Sequence, residues 1–145
     1  MSNYRSKTLA TWFALVGGCF GLHRFYLYGR HDLWGWVFPW PTLLGLYGVW
    51  RARELGLDDH LSWLLIPLFG AMLAGTMLTA IVYGLMPDER WNARFNAGGR
   101  EHRSGWMTVI GVVFALAFGA AALMSVLAFS AQRYFEYQTE TTTSG

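Results

Sequence analysis

Four apolar runs free of charge divide this chain. Between Lys7 and His23 lie 15 residues, between Asp32 and Arg51 lie 18, between His60 and Asp88 lie 27, and between Arg103 and Arg133 lie 29. A helix of about 20 apolar residues crosses a ~30 Å hydrocarbon core, so the last two runs qualify alone. The first reaches that length if Phe25-Tyr26-Leu27-Tyr28 extends it and Arg24 snorkels toward the headgroups. In the second, Pro39 and Pro41 remove backbone donors. It reads as a kinked span, or as a short interfacial piece followed by a helix from Thr42. The pattern predicts an all-α fold, an integral membrane helical bundle with four transmembrane helices over 8–28, 33–53, 61–86 and 105–131, the second kinked at Pro39/Pro41.

Aromatic placement agrees. Trp34, Trp50, Trp63, Trp91 and Trp106 fall near the expected helix ends, where indole rings favour the headgroup level. A soluble bundle would need polar helix faces, and 61–87 and 104–132 have none.

Composition narrows the class further. Charged residues make up 14% of the chain, against about 25% in soluble domains. A net charge of +2 with scattered Arg gives no nucleic-acid face. The single cysteine, Cys19, excludes an intrachain disulfide framework and a Cys-rich zinc site. Val16-Gly17-Gly18-Cys19 loosely imitates a lipoprotein cleavage box after Arg5 and Lys7. Gly17 suits that box poorly, and Cys19 reads as a buried small thiol.

The connectors suggest three polar regions. Glu54 to His60 is an acidic turn. Residues 88–105 are the longest polar connector, where Trp91 and Phe95 beside Arg90 and Arg94 fit a short interfacial helix ended by Gly98-Gly99, or equally an unstructured basic loop. The tail 138–145 lacks apolar anchors and is expected to be disordered. The expected organisation is a helical hairpin over 1–57, a second transmembrane pair over 58–137 and that tail.

One segment carries unusual chemistry. His23 and Arg24 directly follow the first apolar run, and a cation is costly in hydrocarbon. If this run is helical, Gly17 and Gly21 form a ridge that admits another backbone. Gly70 with Ala74, Ala71 with Gly75, and Gly111, Ala115 and Gly119 form further small-residue packing ridges. Arg24 is expected to pair with Glu54 or Asp32 near one interface. The four histidines show no ligand spacing. No metal, cofactor or catalytic set is expected.

Lys7-Thr8-Leu9-Ala10, followed by Gly18-Cys19-Phe20-Gly21-Leu22-His23-Arg24-Phe25-Tyr26-Leu27, resembles the TM-two domain family, whose bacterial members are often called NINE proteins. Trp50 and Glu54 stand where that family ends its second helix in Trp-x-x-x-Asp, and Tyr28 displaces the motif glycine to Gly29. The likeness covers about residues 4–57. It implies a membrane-integral hairpin, a bacterial inner (plasma) membrane location, and no shared catalytic residue.

The reading that follows is a small non-enzymatic membrane protein acting through helix contacts, as an assembly, regulatory or envelope-homeostasis factor. Its partners would be the lipid bilayer and, through small-residue faces, itself or another membrane protein. The alternative is a subunit of a small oligomeric transporter or channel. With four spans, both tails and the 54–60 connector share one side. The basic cluster 90–103 then favours the other side as cytoplasmic and both termini outside.

Overall fold

The computed structural model describes residues 4–143, and they are all-α. The elements are α1 (Lys7–Gly17), a 3-10 turn (Gly18–Phe20), α2 (Leu22–Tyr28), α3 (Leu33–Val37), α4 (Pro39–Leu55), α5 (His60–Leu85), α6 (Asp88–Phe95) and α7 (Trp106–Thr143). Two of them, α5 and α7, are long and apolar enough to cross a membrane.

The segment 8–28 is not one helix. It breaks at Gly21, whose φ of 77° is left-handed. A Cβ there would lie 2.5 Å from the Gly35 carbonyl oxygen, so both conformation and space call for glycine. The chain turns, and α2 folds back along α1: Phe13 and Tyr26 rings sit 5.2 Å apart, and the Ser6 N–H donates to Tyr26 Oη at 2.8 Å. The expected Gly17–Gly21 ridge therefore does not exist as a helical face. Gly17 ends α1 and packs on Leu22 of the return arm.

In the second run the discontinuity falls at Phe38. Asp32 caps α3 by accepting from the Gly35 N–H. Pro39 opens α4 at its first position, where a missing donor costs nothing. Thus both prolines lie in the first turn of α4 rather than kinking its interior. The Thr42 hydroxyl donates to Cys19 O at 2.7 Å and so ties α4 to the hairpin tip.

Helix α5 is the spine. Gly45 and Gly48 of α4 lie against Phe69 and Leu65, giving an antiparallel pair held by close backbone approach. On the opposite flank Gly84 meets Val112, Gly119 meets Met77, and Gly70 meets Val126, so α7 runs antiparallel to α5. Helix α1 packs into the groove between them. Thr11 lies against Gly84 and Gly111, and Ala14, Met77, Ala80 and Ala115 form one buried cluster. The two expected halves of the chain therefore share a core.

These contacts fix the ends of the bundle. Lys7 Nζ reaches Met86 O at 2.8 Å, and Thr8 Oγ1 lies 2.6 Å from Thr108 Oγ1. The start of α1 thus lies with the 88–105 connector, not opposite it as four spans require. The far end holds Arg51, Asp59 and Trp63, with Arg133 of α7 5.4 Å over the Trp63 ring. Helix α7 then continues to Thr143, so 138–143 are helical rather than disordered. Residues 144–145 of the expected tail lie outside the described residues.

Candidate functional site

The polar groups of the Lys7 end converge on α6. Lys7 is 2% exposed, and its ammonium donates to the carboxylate of Asp88 at the start of α6. The other donors to Asp88 come from Ser104: its N–H at 2.8 Å and its hydroxyl. Burial pushes the Asp88 carboxyl up, but the hydrogen bonds from Lys7 and Ser104 together bring it down to about 2.

One turn along α6, Asn92 clamps the connector. Its Oδ1 accepts from the His102 N–H at 2.7 Å and its Nδ2 donates to His102 O at 3.0 Å. Asn96 accepts from the Arg5 N–H at 2.7 Å and donates to Arg5 O at 3.1 Å. Tyr4 Oη and His102 Nδ1 are 2.7 Å apart, and burial lowers the His102 pKa. An open cleft of about 770 Å³ lies against these groups, bounded by Asp88, Glu89, Asn92, Asn96 and residues 97–99 and 101–104.

Residues 88–95 do form the short helix, and Trp91 on it is fully buried. It packs with Ala10 and Leu27, and its indole N–H donates to Arg5 O at 2.9 Å. Nothing in α6 alone signals this, because its partners Arg5, Ala10 and Leu27 lie on α1, α2 and the residues before α1.

The family-like motif residues divide between the two ends. Gly18 leaves room for Thr76. His23 is 1% exposed, with Phe38 and Tyr83 rings at 5.5 and 6.0 Å. Phe25 lies over Gly35 and Trp36, Tyr26 braces the start of α1, and Leu27 is buried beside Trp91. Arg24 grips Asp32 with two donors, Nε and, at 3.2 Å, Nη2. Glu54 is not that partner. It lies exposed at the opposite end with Trp50, which stacks on Tyr47 at 5.7 Å.

Asp32 and its neighbours recur. Arg24, Gly29, Asp32, Gly35 and Trp36 reappear as Arg51, Gly56, Asp59, Ser62 and Trp63, each 27 positions later. Both aspartates cap a helix through the N–H three residues on, at 3.1 Å, and both take a two-donor grip from the arginine eight residues before. Both tryptophans donate to the carbonyl two residues before the aspartate. Both glycines end their helix with φ near 86° and ψ near 180°, a conformation essentially confined to glycine. These are two copies of one corner, at opposite ends of the bundle. The spacing Arg-x4-Gly-x2-Asp-x2-(Gly/Ser)-Trp was legible in the sequence, but charge-free intervals do not reveal it.

Of the small packing residues, Gly70, Gly111 and Gly119 meet neighbouring side chains and Ala115 is fully buried, whereas Ala74 lines an apolar groove between α5 and α7. Among the described residues no group of three or more His, Cys, Asp or Glu side chains is placed to hold a metal. Compared with protein-family models, curated proteins and solved structures, the chain matches none.

Proposed function

We propose that this chain is a non-enzymatic integral membrane protein, related to the TM-two family, that acts by presenting helix faces to other membrane helices. The observation that carries the reading is how its polar groups are engaged. Asp88, Asn92, Asn96 and Ser104 all join segments of the chain. A carboxylate with both oxygens filled and a pKa of about 2 is a poor general base at neutral pH.

The apolar surface supports the membrane setting. The most apolar windows of α5 and α7 are only 22% and 6% buried, whereas the core helix of a soluble protein is mostly covered. In this reading α3–α4, α5 and α7 span. Helix α1, 11 residues or about 16 Å long, enters to about half depth and α2 returns. Exposed Leu78, Leu116 and Leu123 flank the shallow groove at Ala74 and Gly75, which suits a second apolar helix.

Purification in mild detergent after photo-crosslinking from Ala74 and Leu123 tests the proposal. A crosslink to a membrane protein, or to a second copy, is expected. Crosslinks to lipid alone would reject helix contact as the mode of action.

A further inference from the structure

The hairpin turn redistributes charge in a way that four spans would not. Only Arg51, Arg53 and Arg133 lie at the far end; the other eight of the eleven Lys and Arg lie at the Lys7 end. At the far end, Arg51 pairs with Asp59 and Arg133 with Glu136. At the Lys7 end only Lys7 and Arg24 have carboxylate partners, Asp88 and Asp32. Arg5, Arg30, Arg90, Arg94, Arg100 and Arg103 form no ion pair among the described residues.

Three of these six are mounted on aromatic rings. Arg5 lies 5.6 Å over Tyr26, Arg94 5.4 Å over Phe95, and Arg100 5.3 Å over Tyr4. Arg94 also donates to Tyr28 Oη at 3.3 Å. Stacking holds the guanidinium by its face and leaves donors on its edge, the edge that fits a phosphate fork. These rings belong to α2, α6 and Tyr4, three positions ahead of α1, so the cations gather at the end of the bundle where α5 ends and α7 begins.

We propose that the ring-mounted arginines Arg5, Arg94 and Arg100 form a binding belt for the headgroup phosphates of anionic phospholipids in the leaflet at the Lys7 end. The proposal rests on the membrane reading above. A bilayer whose cytoplasmic leaflet is anionic attracts such a belt, whereas the ring-mounted arginines of the far end, Arg51 over Tyr47 and Arg133 over Trp63, are already paired with Asp59 and Glu136, and acids outnumber bases there.

The test uses the full chain reconstituted into vesicles of phosphatidylcholine with an equal part of phosphatidylglycerol. Flotation first establishes membrane integration. Extraction into mild detergent and native mass spectrometry then give the ratio of the two lipids retained. Preferential retention of phosphatidylglycerol is expected, falling roughly tenfold or more in R5Q/R94Q/R100Q and unchanged in R53Q. Equal retention of both lipids by the native chain, or undiminished preference in a folded triple variant, overturns the belt while leaving membrane integration intact. Failure to float overturns the membrane reading and the belt with it. If the triple variant does not fold, salt decides: the native preference must weaken as ionic strength rises to about 0.5 M, and a salt-independent preference rejects the arginines. Inorganic phosphate added to the detergent-solubilised chain is expected to leave its melting unchanged. Stabilisation by free phosphate equal to that by phosphatidylglycerol would reject a lipid site.

Discussion

Lys7 and Asp88, 81 positions apart in the chain, meet at one end of the bundle and bind α1 to the start of α6. Lys7 also donates to Met86 O, the carbonyl that follows α5. One ammonium thus joins the first helix, the end of the spine and the polar connector. Its side chain is 3% exposed and that of Asp88 35%, so the lysine is the member that suffers most when the pair is broken.

Asp88→Ala should therefore destabilise strongly, because it strands a buried cation. The expected loss is about 3 kcal/mol, the low end for breaking a buried pair, since Asp88 is partly hydrated. Lys7→Met removes the buried charge and leaves Asp88 partly hydrated and still bonded to Ser104, so it should cost less. Thermal unfolding of both variants in one detergent checks the order, and an Asp88→Ala variant as stable as Lys7→Met would contradict it.

Acid should weaken the same contact. Asp88 in the folded chain has its pKa lowered to about 2, against ~3.9 in an unfolded chain. A depressed carboxyl contributes stability that is complete above the unfolded value and lost as pH falls through the folded one. Melting temperature should fall between about pH 4 and pH 2, and that part of the fall should vanish in Asp88→Asn.

Gly21 and Gly29 separate two costs of adding a side chain. Gly21 is left-handed, φ 77° and ψ 14°, a strain of about 1–2 kcal/mol for an L side chain, whereas Gly29 combines φ 85° with ψ −179°, a conformation essentially confined to glycine. At Gly21 a Cβ would also meet the Gly35 oxygen, while at Gly29 nothing lies within 4 Å. Gly29→Ala should cost its backbone strain alone, about 1–3 kcal/mol, and Gly21→Ala more than its ~1–2 kcal/mol of left-handed strain. A Gly21→Ala loss no larger than that strain, read by thermal unfolding, would mean that the hairpin tip relaxes freely.

The two corners predict matched effects. Asp32→Ala and Asp59→Ala each remove a helix cap and an arginine partner, and each should lower stability by a similar, measurable amount, mostly through the lost cap. Glu54→Ala should be near neutral, because Glu54 is exposed and pairs with neither Arg24 nor Arg51. Denaturant titration of the three variants checks this; a large loss in Glu54→Ala would restore it as a partner of Arg24.

Orientation follows from the eight-to-three division of basic residues. Under the positive-inside rule the Lys7 end should be cytoplasmic, with the amino terminus inside and the carboxy terminus outside. Reporters fused at the two termini should give opposite signals. Matching signals would exclude the re-entrant hairpin.

Sequence alone was enough for the helical class, the two long apolar helices and the polar connector, because charge-free length and composition are local properties of a segment. It also carried the Asp32 option for Arg24, since eight residues across a turn leave few alternatives. It did not disclose that 8–28 folds back. A run of apolar residues satisfies a straight helix and a hairpin equally, and the choice turns on Gly21 beside Gly35 and on α1 filling the groove between α5 and α7. Nor did local pattern place Trp91 inside or join Lys7 to Asp88. Both depend on partners more than 80 positions away, and only the packed chain brings those atoms together. From that one reversal came the side on which the chain begins, and with it the end where its cations gather.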